Sequence, residues 1–118
     1  MFIQVLKSKI AHARVTGAEL HYEGSVTIDT ALIKAAGLIP GEKVHVLNEH
    51  NGSRLETYVI AGKPGSGEVC LNGPAALHCK VGDQVIILSY ALTEPREAKK
   101  IKPVIIHLDA DNKIKKRK

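Results

Sequence analysis

A mainly β fold, a small closed barrel of six to seven strands with short helical turns, is what this sequence predicts, and three observations predict it. Most apolar stretches alternate with a period of two. Asn-Gly, Pro-Gly and other turn signals separate those stretches at short intervals. The helical segments are too short and too few to form βαβ units, and closing the sheet leaves few edges exposed. With 118 residues the chain is long enough for one core and too short for two.

Taken in order, residues 2–15 mix β-branched and polar residues at near-alternating spacing, which predicts a long half-buried strand. Its polar positions are Lys7 and Lys9 and then, after a change of phase, His12 and Arg14. Thr16–Leu20 is expected as a turn. Val26-Thr27-Ile28 predicts a strand; Asp29 is a good N-cap for a two-turn helix over 30–36, with Gly37 as its stop. Residues 43–48 and 54–61 predict two strands joined at Asn51-Gly52, expected as a type I′ turn. A loop over 62–67, a short strand over 68–71 and a helical turn led by Pro74 follow. The apolar run 84–92 predicts a strand buried on both faces. A helical turn near 94–98 and a strand over 102–109 complete the body.

Composition narrows the functions available. With no Trp, one Phe and three Tyr, the core must be aliphatic, and a stacking platform for nucleic acid is poorly supplied. The net charge of +5 comes from the end of the chain, because residues 1–112 carry twelve cations and twelve anions. A single domain is therefore expected over 1–112, with 113–118 a solvated, disordered basic tail; nucleic acid is not an expected partner. Cys70 and Cys79 form no Cys-x-x-Cys pair, and no signal peptide or membrane-spanning run is evident, so reduced thiols and a cytoplasmic location are expected. The six histidines are scattered, and no metal site is expected. Phosphate-binding glycine motifs are absent.

One stretch carries more chemistry than a turn requires. His21-Tyr22-Glu23-Gly24-Ser25 delivers a serine into the strand 26–28. A hydroxyl directly after a glycine can attack the glycine's carbonyl, which has no Cβ beside it. Such an attack needs backbone strain and donors for the oxyanion. Thr57 can donate a hydroxyl, and Asn72 and the turn after it can donate amides. Taken singly, Thr57 and Tyr58 are ordinary strand residues and Asn72-Gly73-Pro74 is ordinary turn chemistry.

Together, His-Tyr-Glu-Gly-Ser at 21–25, Asn-Gly-x-Arg-x-x-Thr-Tyr at 51–58, Asn-Gly-x-Ala-Ala at 72–76 and Val-Gly-Asp-x-Val-Ile-Ile at 81–87 resemble the aspartate 1-decarboxylase family over nearly the whole chain. The resemblance implies a double-psi β-barrel, a homotetramer and a zymogen that cuts itself between Gly24 and Ser25 into 1–24 and 25–118. It implies that Ser25 becomes a pyruvoyl group, which forms a Schiff base with L-aspartate and accepts the electrons left as the α-carboxylate departs, giving β-alanine for pantothenate synthesis. Neither a metal nor pyridoxal phosphate is then needed, and a maturation factor is a possible further partner.

Roles follow position by position from the same resemblance. Tyr58 matches the proton donor, and Thr57 matches a residue that supports cleavage and touches substrate. Gly73, Pro74 and Ala75 match a substrate-contacting turn in which Pro74, lacking an N–H, contributes only shape, with Asn72 beside it. Arg54 and Lys9 match cations for the substrate's carboxylates, Arg54 being able to grip one through two hydrogen bonds. The chain departs from the pattern at Ala11, Leu47 and Leu77-His78-Cys79, which touches affinity and rate rather than the reaction. Two other readings are a pyruvoyl decarboxylase of another acidic amino acid such as glutamate, and a non-catalytic barrel that binds through its basic tail.

Overall fold

β-branched and aliphatic residues at alternate positions build a sheet in the computed structural model, which describes residues 1–115. β1 (Ile3–Arg14), β2 (Gly17–Glu19), β3 (Ser25–Asp29), β4 (Lys43–Asn48), β5 (Arg54–Gly62), β6 (Val69–Asn72), β7 (Gln84–Thr93) and β8 (Val104–His107) are joined by helices α1 (Thr30–Ala36) and α2 (Pro95–Ala98) and by a 3-10 turn, Gly73–Leu77. Val26, Ile28, Val44, Val46, Val59, Val69, Leu71, Val85 and Ile87 fill the centre. The core is aliphatic, and each such side chain buried is worth about 1.5–3 kcal/mol.

The strand order is β2-β6-β3-β5-β4-β7-β1-β8. β1 and β2 are nearly one strand bent at Val15-Thr16, where Val15 N–H donates to Asp83 O and Thr16 N–H to Val69 O. The two ends of the order meet at that bend. Bent β1/β2 pairs with β7 on one side and β6 on the other, which closes a six-stranded ring, with β8 added outside in parallel to β1. β3 lies parallel to β5 but antiparallel to β6, so the chain crosses the barrel end between them. A double-psi barrel requires crossings of this kind. The expected closed, mainly β barrel is thus what forms.

Local signals account for most boundaries. Asp29 caps α1 by accepting from Ala31 N–H at 2.8 Å, and Gly37 ends the helix in the left-handed region. The change of phase in β1 is a bulge between Ile10 and Ala13, with His12 at φ 64°. The expected turn over 16–20 instead contains β2, because residues 17–19 pair in parallel with β6. The 48–54 connection is not a type I′ turn. Gly52 alone has positive φ there, and its N–H donates to Asn48 O at 2.9 Å across a five-residue loop. Asn48 Oδ1 accepts from His50 N–H and Asn51 Oδ1 from Ser53 N–H, and these side-chain bonds favour the longer loop. β7 is buried on both faces only at Ile87–Ser89, and Tyr90 and Leu92 are exposed.

The body extends past residue 112. Asn112 side-chain bonds reach Arg14 and Gly67, Ile114 bridges Leu108, and Lys115 N–H donates to His107 O. The first three residues of the expected tail are therefore tied to the barrel; the remainder, 116–118, lies outside the described residues. No helix among the described residues is long and apolar enough to cross a membrane.

Candidate active site

Strand register brings Ser25 and Asn72 side by side. β3 runs antiparallel to β6 with Ser25 opposite Asn72, and parallel to β5 with Val26 opposite Val59. Ser25 is fully buried and Asn72 is 3% exposed. Asn72 Nδ2 donates to Ser25 Oγ at 2.9 Å and to Thr27 Oγ1 at 3.0 Å. Asn72 Oδ1 accepts from Cys70 Sγ–H at 3.4 Å, so every part of the amide is engaged. Ser25 Oγ–H donates to Glu23 O at 3.2 Å. The hydroxyl is held, and a buried hydroxyl left without partners would cost about 1–3 kcal/mol.

Gly24 is exposed while its neighbour Ser25 is not. The left-handed glycine of this corner is Gly73, at φ 70°, rather than Gly24. A Cβ on Gly73 would stand 2.7 Å from Tyr22 O and 2.9 Å from both Cα and N of Gly24. The turn after β6 is thus pressed against the backbone just before Ser25, an approach that only glycine permits.

A cleft of about 380 Å³ opens on Gly24 and is walled by Leu55, Glu56, Thr57 and Tyr58 of β5 and by Pro74, Ala75 and His78. Gly24, Thr57, Tyr58, Pro74 and Ala75 of the expected site residues meet there, while Ser25, Gly73 and Asn72 stand behind Gly24. Leu55, Glu56 and His78 were not anticipated. Glu56 sits between Thr57 and Leu55 in an alternating strand, where nothing marks one wall residue from another; His78 follows the Ala75-Ala76 pair and had a visible cue in its place beside that turn.

The two expected cations are elsewhere. Alternation puts Arg54, Glu56 and Tyr58 on the outer face of β5, and all three are exposed. Lys9 pairs with Leu88, Leu88 with His45, and His45 with Glu56, so Lys9 stands three strands from the cleft wall in one register row. Strands about 4.8 Å apart make that roughly 14 Å. Neither Lys9 nor Arg54 lines the cleft of its own chain. Burial pushes the thiols of Cys70 and Cys79 up, which leaves both as poor nucleophiles. Among the described residues no three His, Cys, Asp or Glu side chains converge.

A rim cleft of this size, with a phenol and a hydroxyl on its wall and a held serine buried behind its Gly24 edge, defines a small-molecule enzyme rather than a platform for a polymer. The chain belongs to the aspartate decarboxylase family, whose model matches residues 1–115. It is 52% identical over 116 residues to the aspartate 1-decarboxylase of Chloroherpeton thalassium, covering 98% of this chain and 85% of that protein. It is 54% identical to that of Cytophaga hutchinsonii, covering 97% and 99%. Against that of Listeria monocytogenes the identity is 51%, covering 97% and 90%. Among solved structures it is similar to the rationally designed protein mkDPBB_sym_86, with a TM-score of 0.49 and 23% identity over 65% of this chain and 90% of that one.

Proposed function

We propose that this chain decarboxylates L-aspartate at its α-carboxylate to β-alanine and CO2, in the cytoplasm and for pantothenate synthesis, on a pyruvoyl group made from its own Ser25. The observation that carries the reading is the pairing of an exposed Gly24 in the cleft with a Ser25 Oγ held behind it by Asn72. Membership of the family supports the reaction.

The self-processing step uses only residues of the chain. Ser25 Oγ attacks the Gly24 carbonyl and displaces the Ser25 nitrogen, turning the peptide bond into an ester. Asn72, donating to Oγ, steadies the charge that develops there as its proton leaves. Elimination then releases Gly24 as a new C-terminal carboxylate and leaves dehydroalanine, and water replaces its nitrogen as ammonia to give the pyruvoyl end of 25–118. Ser25 fits this fate: it stands buried directly behind Gly24, which lines the cleft, and the 1–24 segment in front of it ends in an exposed turn.

The pyruvoyl ketone supplies the electron sink for loss of CO2. Around it Tyr58 is the proton donor at the product carbon, being a phenol on the cleft wall. Thr57 assists cleavage and then contacts substrate, and Gly73, Pro74 and Ala75 shape the floor beneath it. Arg54 and Lys9 take the carboxylates. Because both lie outside their own chain's cleft, a homotetramer in which neighbouring copies complete each site suits the arrangement; a maturation factor acting on the exposed turn is compatible with it.

Intact mass and aspartate turnover, measured on one preparation, test the whole reading. Fragments 1–24 and 25–118 with β-alanine formation are the expected result. A chain that stays whole under every condition and never decarboxylates aspartate overturns it, and preferential turnover of glutamate overturns the substrate.

A further inference from the structure

The outer face of β4 and β5 holds a chain of contacts that ends on Arg54. Arg54 Nη1 lies 3.0 Å from His45 Nδ1. The other ring nitrogen, Nε2, lies 3.3 Å from Glu56 Oε1, and His45 and Glu56 are direct cross-strand partners. The edge of the His45 ring meets Tyr90 of β7, with centroids 5.3 Å apart and planes at 70°. Lys43 Nζ, on the same strand as His45, lies 3.4 Å from Glu56 Oε2, and Gln4 of β1 completes a small pocket of about 150 Å³ around the group.

A guanidinium has donors only, so the nitrogen facing Arg54 must offer a lone pair. His45 Nδ1 is therefore unprotonated in this arrangement, the ring proton sits on Nε2, and it faces the Glu56 carboxylate. The carboxylate fixes the tautomer, the tautomer presents an acceptor, and the acceptor fixes the guanidinium. Tyr90 limits the turning of the ring. Arg54 is otherwise an exposed side chain with many rotamers to lose if it is frozen only when substrate arrives.

We propose that His45 is a positioning residue for aspartate binding: it holds the Arg54 guanidinium, oriented in turn by Glu56, so that Arg54 meets a substrate carboxylate already aligned. The inference rests on the reading of Arg54 as a carboxylate-binding residue. His45 acts on KM and not on the chemical step, because it reaches neither the cleft nor Ser25. Glu56, Lys43 and Tyr90 are the other ionisable groups facing the ring.

Four single variants test this, with rates normalised to the self-cleaved fraction by mass and folding checked by thermal melting. In His45→Asn the amide oxygen falls where Nδ1 stands; in His45→Gln the amide group falls where Nε2 stands. The expected result is a KM for aspartate within about threefold of the parent for His45→Asn and about tenfold higher for His45→Gln and His45→Leu, with kcat within about twofold throughout. Arg54→Ala should raise KM at least as much as His45→Leu, and adding His45→Leu to it should change nothing more. If Arg54→Ala raises KM while Asn, Gln and Leu at 45 behave alike, positioning by His45 is wrong and the Arg54 reading stands. If Arg54→Ala leaves KM unchanged, both fall.

Discussion

Asn72 Nδ2 stands 2.9 Å from Ser25 Oγ and 3.0 Å from Thr27 Oγ1, so one buried amide holds two hydroxyls of the neighbouring strand. Removing the amide frees Oγ to rotate and strips a donor from the charge that develops on it. Asn72→Ala should therefore fold and cleave slowly, by a factor on the order of 100. Asn72→Asp should do no better, since a carboxylate accepts but cannot donate to Oγ. Accumulation of the 25–118 fragment followed by intact mass over days checks this; wild-type cleavage in Asn72→Ala removes the amide from the mechanism.

The approach of Gly73 to the Tyr22–Gly24 backbone gives a second expectation. Alanine at 73 costs about 1–2 kcal/mol for the left-handed conformation, and its Cβ overlaps Tyr22 O and Gly24. Relief requires the cleavage turn to move away. Gly73→Ala should lower the melting temperature by several degrees and reduce cleavage far more than a loss of stability of that size explains. Gly24→Ala is the contrast, because its Cβ would meet only Pro74 Cδ at an ordinary 3.8 Å; that variant should fold normally. A Gly73→Ala chain that splits at the parent rate rejects the coupling.

These cases mark what was legible in the sequence. Asp29 and Gly37 bracket α1 through local hydrogen bonds, and the phase change after Lys9 is a bulge, so short-range rules reached both. The ring closure was legible only as a need to hide edges, and the eighth strand was not, since β2 is three residues long and exists through its pairing with β6. The turn at Asn51-Gly52 was misread because Asn48 and Asn51 side chains compete for the loop's N–H groups. Ser25, Thr57 and Tyr58 stood out by motif. Asn72 was expected to serve the oxyanion at Gly24 and to stand beside the substrate turn; that its side chain sits on Ser25 Oγ itself follows from strand register. Register depends on partners nearly fifty residues away, and no local pattern records it.

Asp29 makes the barrel acid-sensitive. Burial alone would raise its carboxyl, but N–H groups of Gly67, Ala31 and Gly65, with the charge of Lys113, together hold it below the ordinary carboxylate value. A folded pKa below the unfolded one means that the contribution is present above the unfolded value and is lost as pH falls through the folded one. Melting temperature should thus drop as pH falls below about 4. Asp29→Asn should be less stable at pH 7 by about 1–3 kcal/mol, since its amide N–H faces a backbone donor, and the gap to the parent should close in acid. Melting curves that run parallel across pH 2–7 rule this out.

Tyr58 separates the two reactions of the chain. Its phenol lines the cleft on the outer face of β5, whereas Ser25 Oγ is bound by Asn72 and Glu23 behind Gly24. Tyr58→Phe keeps the ring and removes only the hydroxyl, so the wall and the strand are preserved. Cleavage into 1–24 and 25–118 should proceed at the parent rate. Decarboxylation should fall by a factor on the order of 100–1,000 in kcat with KM little changed, the signature of a lost proton donor rather than a lost binding contact. A matching loss in cleavage would assign the phenol to processing, and a rise confined to KM would make it a binding group.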